Sequence, residues 1–181
     1  MTLNDFKLDN ESYDISPELK VSKIINEHSD LIYTRKNALD PYNYDLHCFE
    51  LDTEQHLGYI EVEVSNYERL GGKNWKHSFL KRKIYEWDGI QNCFSDKFKM
   101  YYEQTVYIKF NKNFGLTDCI CSDILTISNF SEELQPKTGK IRKDLVYRTN
   151  KYDRRVAVGI GDCIRYIEHK FINFNKLDKW M

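Results

Sequence analysis

Asp45, Glu61 and Glu63 are the residues of this chain whose type and spacing could do chemistry. They stand in two apolar stretches, DLHCFEL (45–51) and LGYIEVEV (57–64), joined by Asp52–His56. Carboxylates gathered on one patch repel one another unless a proton or a cation neutralises them. The cations such hard oxygen ligands suit are Mg2+ and Mn2+, which take a few carboxylates and fill the remaining positions with water and phosphate oxygens. An ion held in this way polarises a phosphoryl oxygen and lowers the pKa of a bound water, which is what phosphodiester hydrolysis requires.

The elements that must position these residues are the strands of a hairpin. Two alternating runs around a short polar connection predict an antiparallel pair. Residues two apart on a strand share a face, so Glu61 and Glu63 point one way and Ile60, Val62 and Val64 the other. A turn centred near Glu54 would set Asp45 across from Glu63 and His47 across from Glu61, with opposed Cβ atoms about 4.5–5.5 Å apart. Alternating acids alone are the ordinary mark of a solvent-facing strand. Three further features shift the weight: the register of Asp45, Glu27 near the end of the preceding helix, and the cationic run Lys81-Arg82-Lys83 after the second strand.

That preceding helix is announced by Ser16-Pro17-Glu18, a capping residue, a proline at the first helical position and an acid in the first turn. It is expected to run to about His28, with Leu19, Ile24 and Ile25 as its buried stripe. Further strands are expected at 31–35, 104–111, 118–128, 145–149, 154–160 and 163–171, the last of which could also be helical. Residues 77–88 fit either a short strand or one or two helical turns. The sum is an α+β fold with a central mixed or mostly antiparallel sheet and a helix on one face. One domain over 1–181 is expected, with a core at about 17–128 and a β-rich C-terminal extension at about 129–181.

The chain has 181 residues, 14% of them aromatic, with 13 Tyr and 10 Phe, a composition that favours pleated surfaces. Its five cysteines, at 48, 93, 119, 121 and 163, form neither a disulfide framework nor a zinc spacing. They read as reduced packing residues, which fits a reducing cytoplasm. No apolar run approaches the ~20 residues of a membrane span. Charge is uneven: residues 1–70 hold 15 acids and 6 Lys/Arg, and residues 71–181 hold 13 acids and 21 Lys/Arg. An acidic part beside a basic part suits a polyanion held on the basic side while the acids hold cations. No Ser/His/Asp signature, Gly-rich phosphate loop or HExxH is present, so hydrolases built on those are not supported.

The order of these pieces resembles the PD-(D/E)XK nucleases, the restriction endonuclease-like superfamily, over roughly residues 17–88. The matching parts are Glu27 on the first helix, Asp45 after Pro41-Tyr42-Asn43-Tyr44, and Glu61-Val62-Glu63 on the second strand. The sequence departs from the family in having three residues between Pro41 and Asp45, and Glu63 where a lysine is usual, a Glu-x-Glu variant. The resemblance implies a metal-dependent nuclease, DNA favoured over RNA, with Asp45 and Glu61 binding Mg2+ or Mn2+. Glu63 would add a ligand or take a proton from water, and Glu27 would hold a metal-bound water or second ion. Lys81 or Lys83 would stand in for the missing lysine. Lys73, Trp75, Lys76, Arg82, Lys140, Arg142 and Lys143 would contact the nucleic acid, with Trp75 and Tyr85 placed to stack on an unpaired base. Cutting both strands of a duplex would suit a homodimer. Trp75, the Arg82-Lys83 pair and residues 107–111 also follow an order similar to that of phage and viral proteins of this layout, which implies a host cytoplasm. The alternative is a catalytically inactive module of the same fold that binds nucleic acid or a host protein.

Overall fold

The computed structural model describes residues 16–36, 44–65, 78–80, 85–87, 92–94, 98, 102–111, 115–134, 144–148 and 153–172. Pro17 opens helix α1 (Pro17–His28), and Ser16 precedes it in an extended conformation without a side-chain capping bond. Val21, Ile24 and Ile25, at helical spacing, form its buried stripe, and the expected Leu19 is exposed instead. Hydrogen bonds from Ser22 and Asn26 to Thr34 tie α1 to the following strand.

The strands are β1 (Ile32–Lys36), β2 (Leu46–Glu50), β3 (His56–Ser65), β4 (Ser78–Leu80), β5 (Tyr85–Trp87), β6 (Asn92–Phe94), β7 (Thr105–Asn111), β8 (Gly115–Asp123), β9 (Glu132–Leu134), β10 (Asp144–Arg148) and β11 (Ala157–Val158). Six of them form one sheet in the order β1-β2-β3-β7-β8-β11. Only the β3–β7 pair in it is parallel, so the sheet is mixed. A second sheet joins β4, β10 and β9, and β5 pairs with β6.

One stretch expected as strand turns helical at its end, and the stretch left open between strand and helix is helical. The run 118–128 is strand only to Asp123, whose carboxylate accepts the Thr126 N–H at 2.8 Å and starts helix α2 (Ile124–Asn129). Residues 163–171 lie in helix α3 (Ile160–Ile172), which follows Gly159 at φ 85°. Ile160, Cys163, Ile164 and Ile167 bury one side of α3 at helical spacing. The stretch after 129 is therefore not uniformly β-rich, because β11 and α3 return to the main sheet. The ambiguous 77–88 supplies the short strands β4 and β5.

Helices α1 and α3 cover the same face of the large sheet. Their stripes meet Leu46, Cys48, Ile60, Val106, Ile108, Phe110, Cys119 and Cys121 in one buried cluster. Gly58 belongs to this face: a β-carbon there would collide with the ring of Phe171 and lie 2.5 Å from the carbonyl oxygen of Gln104. On the opposite face a smaller cluster gathers Tyr44, Phe98, Tyr107, Ile120, Ile124, Ile127, Tyr147 and Val156, partly covering β7 and β8. Cys48, Cys119, Cys121 and Cys163 are buried and reduced, as expected.

Candidate functional site

Alternation sends Leu46, Cys48, Ile60 and Val62 toward the helices, and Asp45, His47, Tyr59, Glu61 and Glu63 to the other face. The expected hairpin forms, with a register two residues from the expected one. Leu46 pairs with Ile60, His47 with Tyr59 and Cys48 with Gly58. The hairpin therefore closes about Thr53 rather than Glu54, and the pairing slips between Cys48 and Phe49. Continued by one step, this register sets Asp45 opposite Glu61. Asp45 Oδ2 accepts the backbone N–H of Val62 at 2.8 Å, so its side chain carries the ladder beyond the last backbone pair. The carboxylate is thereby pinned against β3 at the residue between Glu61 and Glu63.

β7 completes the patch from the far side. In the parallel register Tyr107 lies beside Glu61, and Lys109 beside Glu63. The Tyr107 hydroxyl donates to Glu63 Oε2. Burial pushes that phenol well above its ordinary pKa, and the charges of Glu63, Glu61 and Asp45 push it the same way. All three carboxylates thus act on one ring. Glu63 is 7% exposed, and Tyr107 and Lys109 are 0% exposed. A fully buried lysine needs anionic company, and Lys109 is the register neighbour of Glu63.

Lys109 is the residue that sequence reasoning missed. The structure puts this lysine on the site face from the neighbouring strand, while the expected Lys81 and Lys83 lie outside the described residues. Its signal was present in the pattern: Tyr107-x-Lys109 interrupts an apolar strand at the same two-residue spacing as Glu61-x-Glu63.

The other expected site residues divide into two sets. Glu27 is exposed on α1 and pairs with Lys23 at 3.8 Å. Because α1 packs on the opposite face of the sheet, the structure does not bring Glu27 to the patch. His47 is drawn to His56 rather than to Glu61, with Nδ1 and Nε2 3.2 Å apart. Lys73, Trp75, Lys76, Lys81, Arg82, Lys83, Lys140, Arg142 and Lys143 lie outside the described residues. Tyr85 falls within β5.

Among the described residues no three His, Cys, Asp or Glu side chains converge closely enough to hold a metal ion. The expected gathering of Glu27, Asp45, Glu61 and Glu63 around one ion is therefore not formed. Asp45 and Glu61 remain as a cross-strand pair of hard oxygen donors. Mg2+ commonly uses one or two carboxylates and completes its shell with water and substrate phosphate, so this pair fits it by chemical type and number.

No family model matches the chain. No curated protein matches it significantly. Among solved structures, the chain is similar to D212, a nuclease from a fusselovirus, at 16% sequence identity over 86% of this chain and 88% of that chain, with a TM-score of 0.42. With so few residues shared, what this chain does is to be argued from its own side chains.

Proposed function

We propose that the protein hydrolyses phosphodiester bonds of nucleic acid, most readily DNA, at the patch formed by Asp45, Glu61, Glu63 and Lys109. The observation that carries this is the buried Lys109 beside Glu63, on the face that also holds Asp45 and Glu61. Two of the carboxylates come from positions two apart on one strand, the third from the residue just before the strand paired with it, and the lysine from the strand on the other side.

Asp45 and Glu61 would hold Mg2+ or Mn2+, and the ion, when bound, would polarise the phosphate and activate a water. The backbone N–H of Val62 fixes Asp45 in place without its having to repack on binding. Tyr107 orients Glu63 through its hydrogen bond, and Glu63 would accept a proton from the attacking water. Lys109 offsets the negative charge of the row and favours an incoming phosphate and the charge that develops on it. Its burial makes this an electrostatic role exerted from within the sheet.

The test is cleavage of labelled DNA and RNA in Mg2+ and in Mn2+ by wild type, Asp45→Asn, Glu61→Gln and Lys109→Met, each checked for folding by circular dichroism. The expected outcome is cutting by wild type and a loss of about 100-fold or more in every variant. Equal cutting by folded Asp45→Asn and Glu61→Gln would refute the assignment. A second function, binding without hydrolysis, is favoured by the failure of three carboxylates to converge. It predicts nucleic-acid binding with no cutting in either metal.

A further inference from the structure

The sheet face that carries the carboxylates also carries a set of rings, outside both buried clusters. Tyr33 and Phe49 are register partners across β1 and β2, with centroids 5.2 Å apart and planes 17° from parallel. His47 continues the row, 6.3 Å from Phe49 at 24°. His56 touches its end, 5.2 Å from both His47 and Phe49. The Arg35 guanidinium lies 5.0 Å from the Tyr33 ring and 5.5 Å from the Phe49 ring. Among the described residues the ring contacts of Tyr33 and Phe49 are with this set alone. Tyr33, His47 and Phe49 are half-buried and His56 is exposed, on the outer three strands of the sheet.

Rings in near-parallel planes, with a guanidinium over them, are what planar groups stack on. Unpaired bases offer such a plane and paired bases hide it. Asp45, just before β2, precedes His47 on the same face by one two-residue step of about 6.8 Å, and Phe49 follows His47 across the slip at Cys48/Phe49 with its ring 6.3 Å away. The row of rings therefore runs directly into the carboxylate patch. Glu54 lies 3.9 Å from Arg35, so phosphate attraction is weak here, and attraction through ring faces is the interaction left.

We propose that Tyr33, His47, Phe49 and His56, with Arg35, form a platform on which unpaired bases stack, holding a single strand that continues into the Asp45–Glu61 patch. The choice of nucleic acid as occupant rests on the function proposed above.

The test is fluorescence anisotropy of a labelled oligothymidine 20-mer, alone and annealed to its complement, in EDTA so that no cutting occurs. Wild type should bind the single strand at least tenfold more tightly than the duplex, with a shallow dependence on salt. Phe49→Ala should lose about tenfold or more on the single strand, and Phe49→Tyr should restore it. Tyr33→Ala, at the sheet edge, should lose affinity as well and serves if Phe49→Ala does not fold. Wild-type binding that is absent, or equal for single strand and duplex, would overturn the platform, as would full affinity in folded Phe49→Ala or Tyr33→Ala. Metal-dependent cutting by Asp45→Asn, run in parallel, reports on the hydrolytic proposal separately. If Asp45→Asn still cuts while Phe49→Ala loses single-strand binding, the platform stands and the hydrolytic site fails. The reverse pattern removes the platform alone.

Discussion

The two faces of the six-stranded sheet are built from the same strands and obey different rules. On the helix side every inward position of β2, β3 and β7 from Leu46 to Phe110 is apolar or glycine, and the residues interlock with α1 and α3. On the other side the same strands present Asp45, Glu61, Glu63, Tyr107 and Lys109, with rings toward the β1 edge and a second small core toward β8. Like charges side by side on a sheet weaken it, and a buried lysine costs desolvation. The helix side supplies the burial that lets the other side carry such a group. Stability and chemistry are thus divided between faces, one strand position apart.

The comparison breaks first if the helix side is not what holds the sheet. Ile108→Ala, at a fully buried position, should cost about 2–5 kcal/mol in urea unfolding. A cost well under 1 kcal/mol would mean that the face is loosely packed. Next comes the charge row. Lys109→Met should cost about 3 kcal/mol by leaving the carboxylates without their buried cation. Adding Glu63→Gln should recover part of that loss, and strict additivity in the double-mutant cycle would show that the two residues do not interact. Gly58→Ala pushes a methyl group into Phe171 and into a backbone carbonyl that cannot swing away. It should cost about 1–3 kcal/mol, with an unchanged Tm being the contrary result.

The smallest effect concerns pH. His47 and His56 both have folded pKa values below their ordinary ones, mainly through burial, with the neighbouring His47 adding to the effect at His56. The folded state therefore binds fewer protons than the unfolded one. Their contribution is present above the ordinary histidine range and is lost as pH falls through the lowered values. Between pH 7 and pH 5, His56→Gln should lose less Tm than wild type, by on the order of one or two degrees because the burial of the pair is only partial. An identical slope would show that the pair is not coupled to folding.

Local signals carried the strands and the first helix. Ser16-Pro17-Glu18 marks the start of α1, and alternation over 57–64 and 104–111 marks β3 and β7, because both signals are written within a few residues. α3 stayed open between strand and helix because Cys163-to-Phe171 alternates over a short run while also matching the helical spacing that burial confirms. α2 was hidden by the continuous apolar run through Asp123, whose capping bond to Thr126 is what ends the strand. The site was half legible. Asp45, Glu61 and Glu63 stood out by type and spacing, but their register depended on a slip at Cys48/Phe49 that no residue announces. Lys109 reaches the patch only because β7 runs parallel to β3 after a long excursion through residues 66–104, a non-local pairing that periodicity cannot supply.

The account stands or falls on whether Asp45 and Glu61 together take up a divalent cation. The direct measurement is thermal unfolding of wild type and Glu61→Gln across a millimolar titration of Mn2+. A ligand that binds only the folded state raises Tm with its concentration. The account predicts a rise for wild type that disappears in Glu61→Gln. No rise in wild type, or the same rise in both proteins, would contradict it.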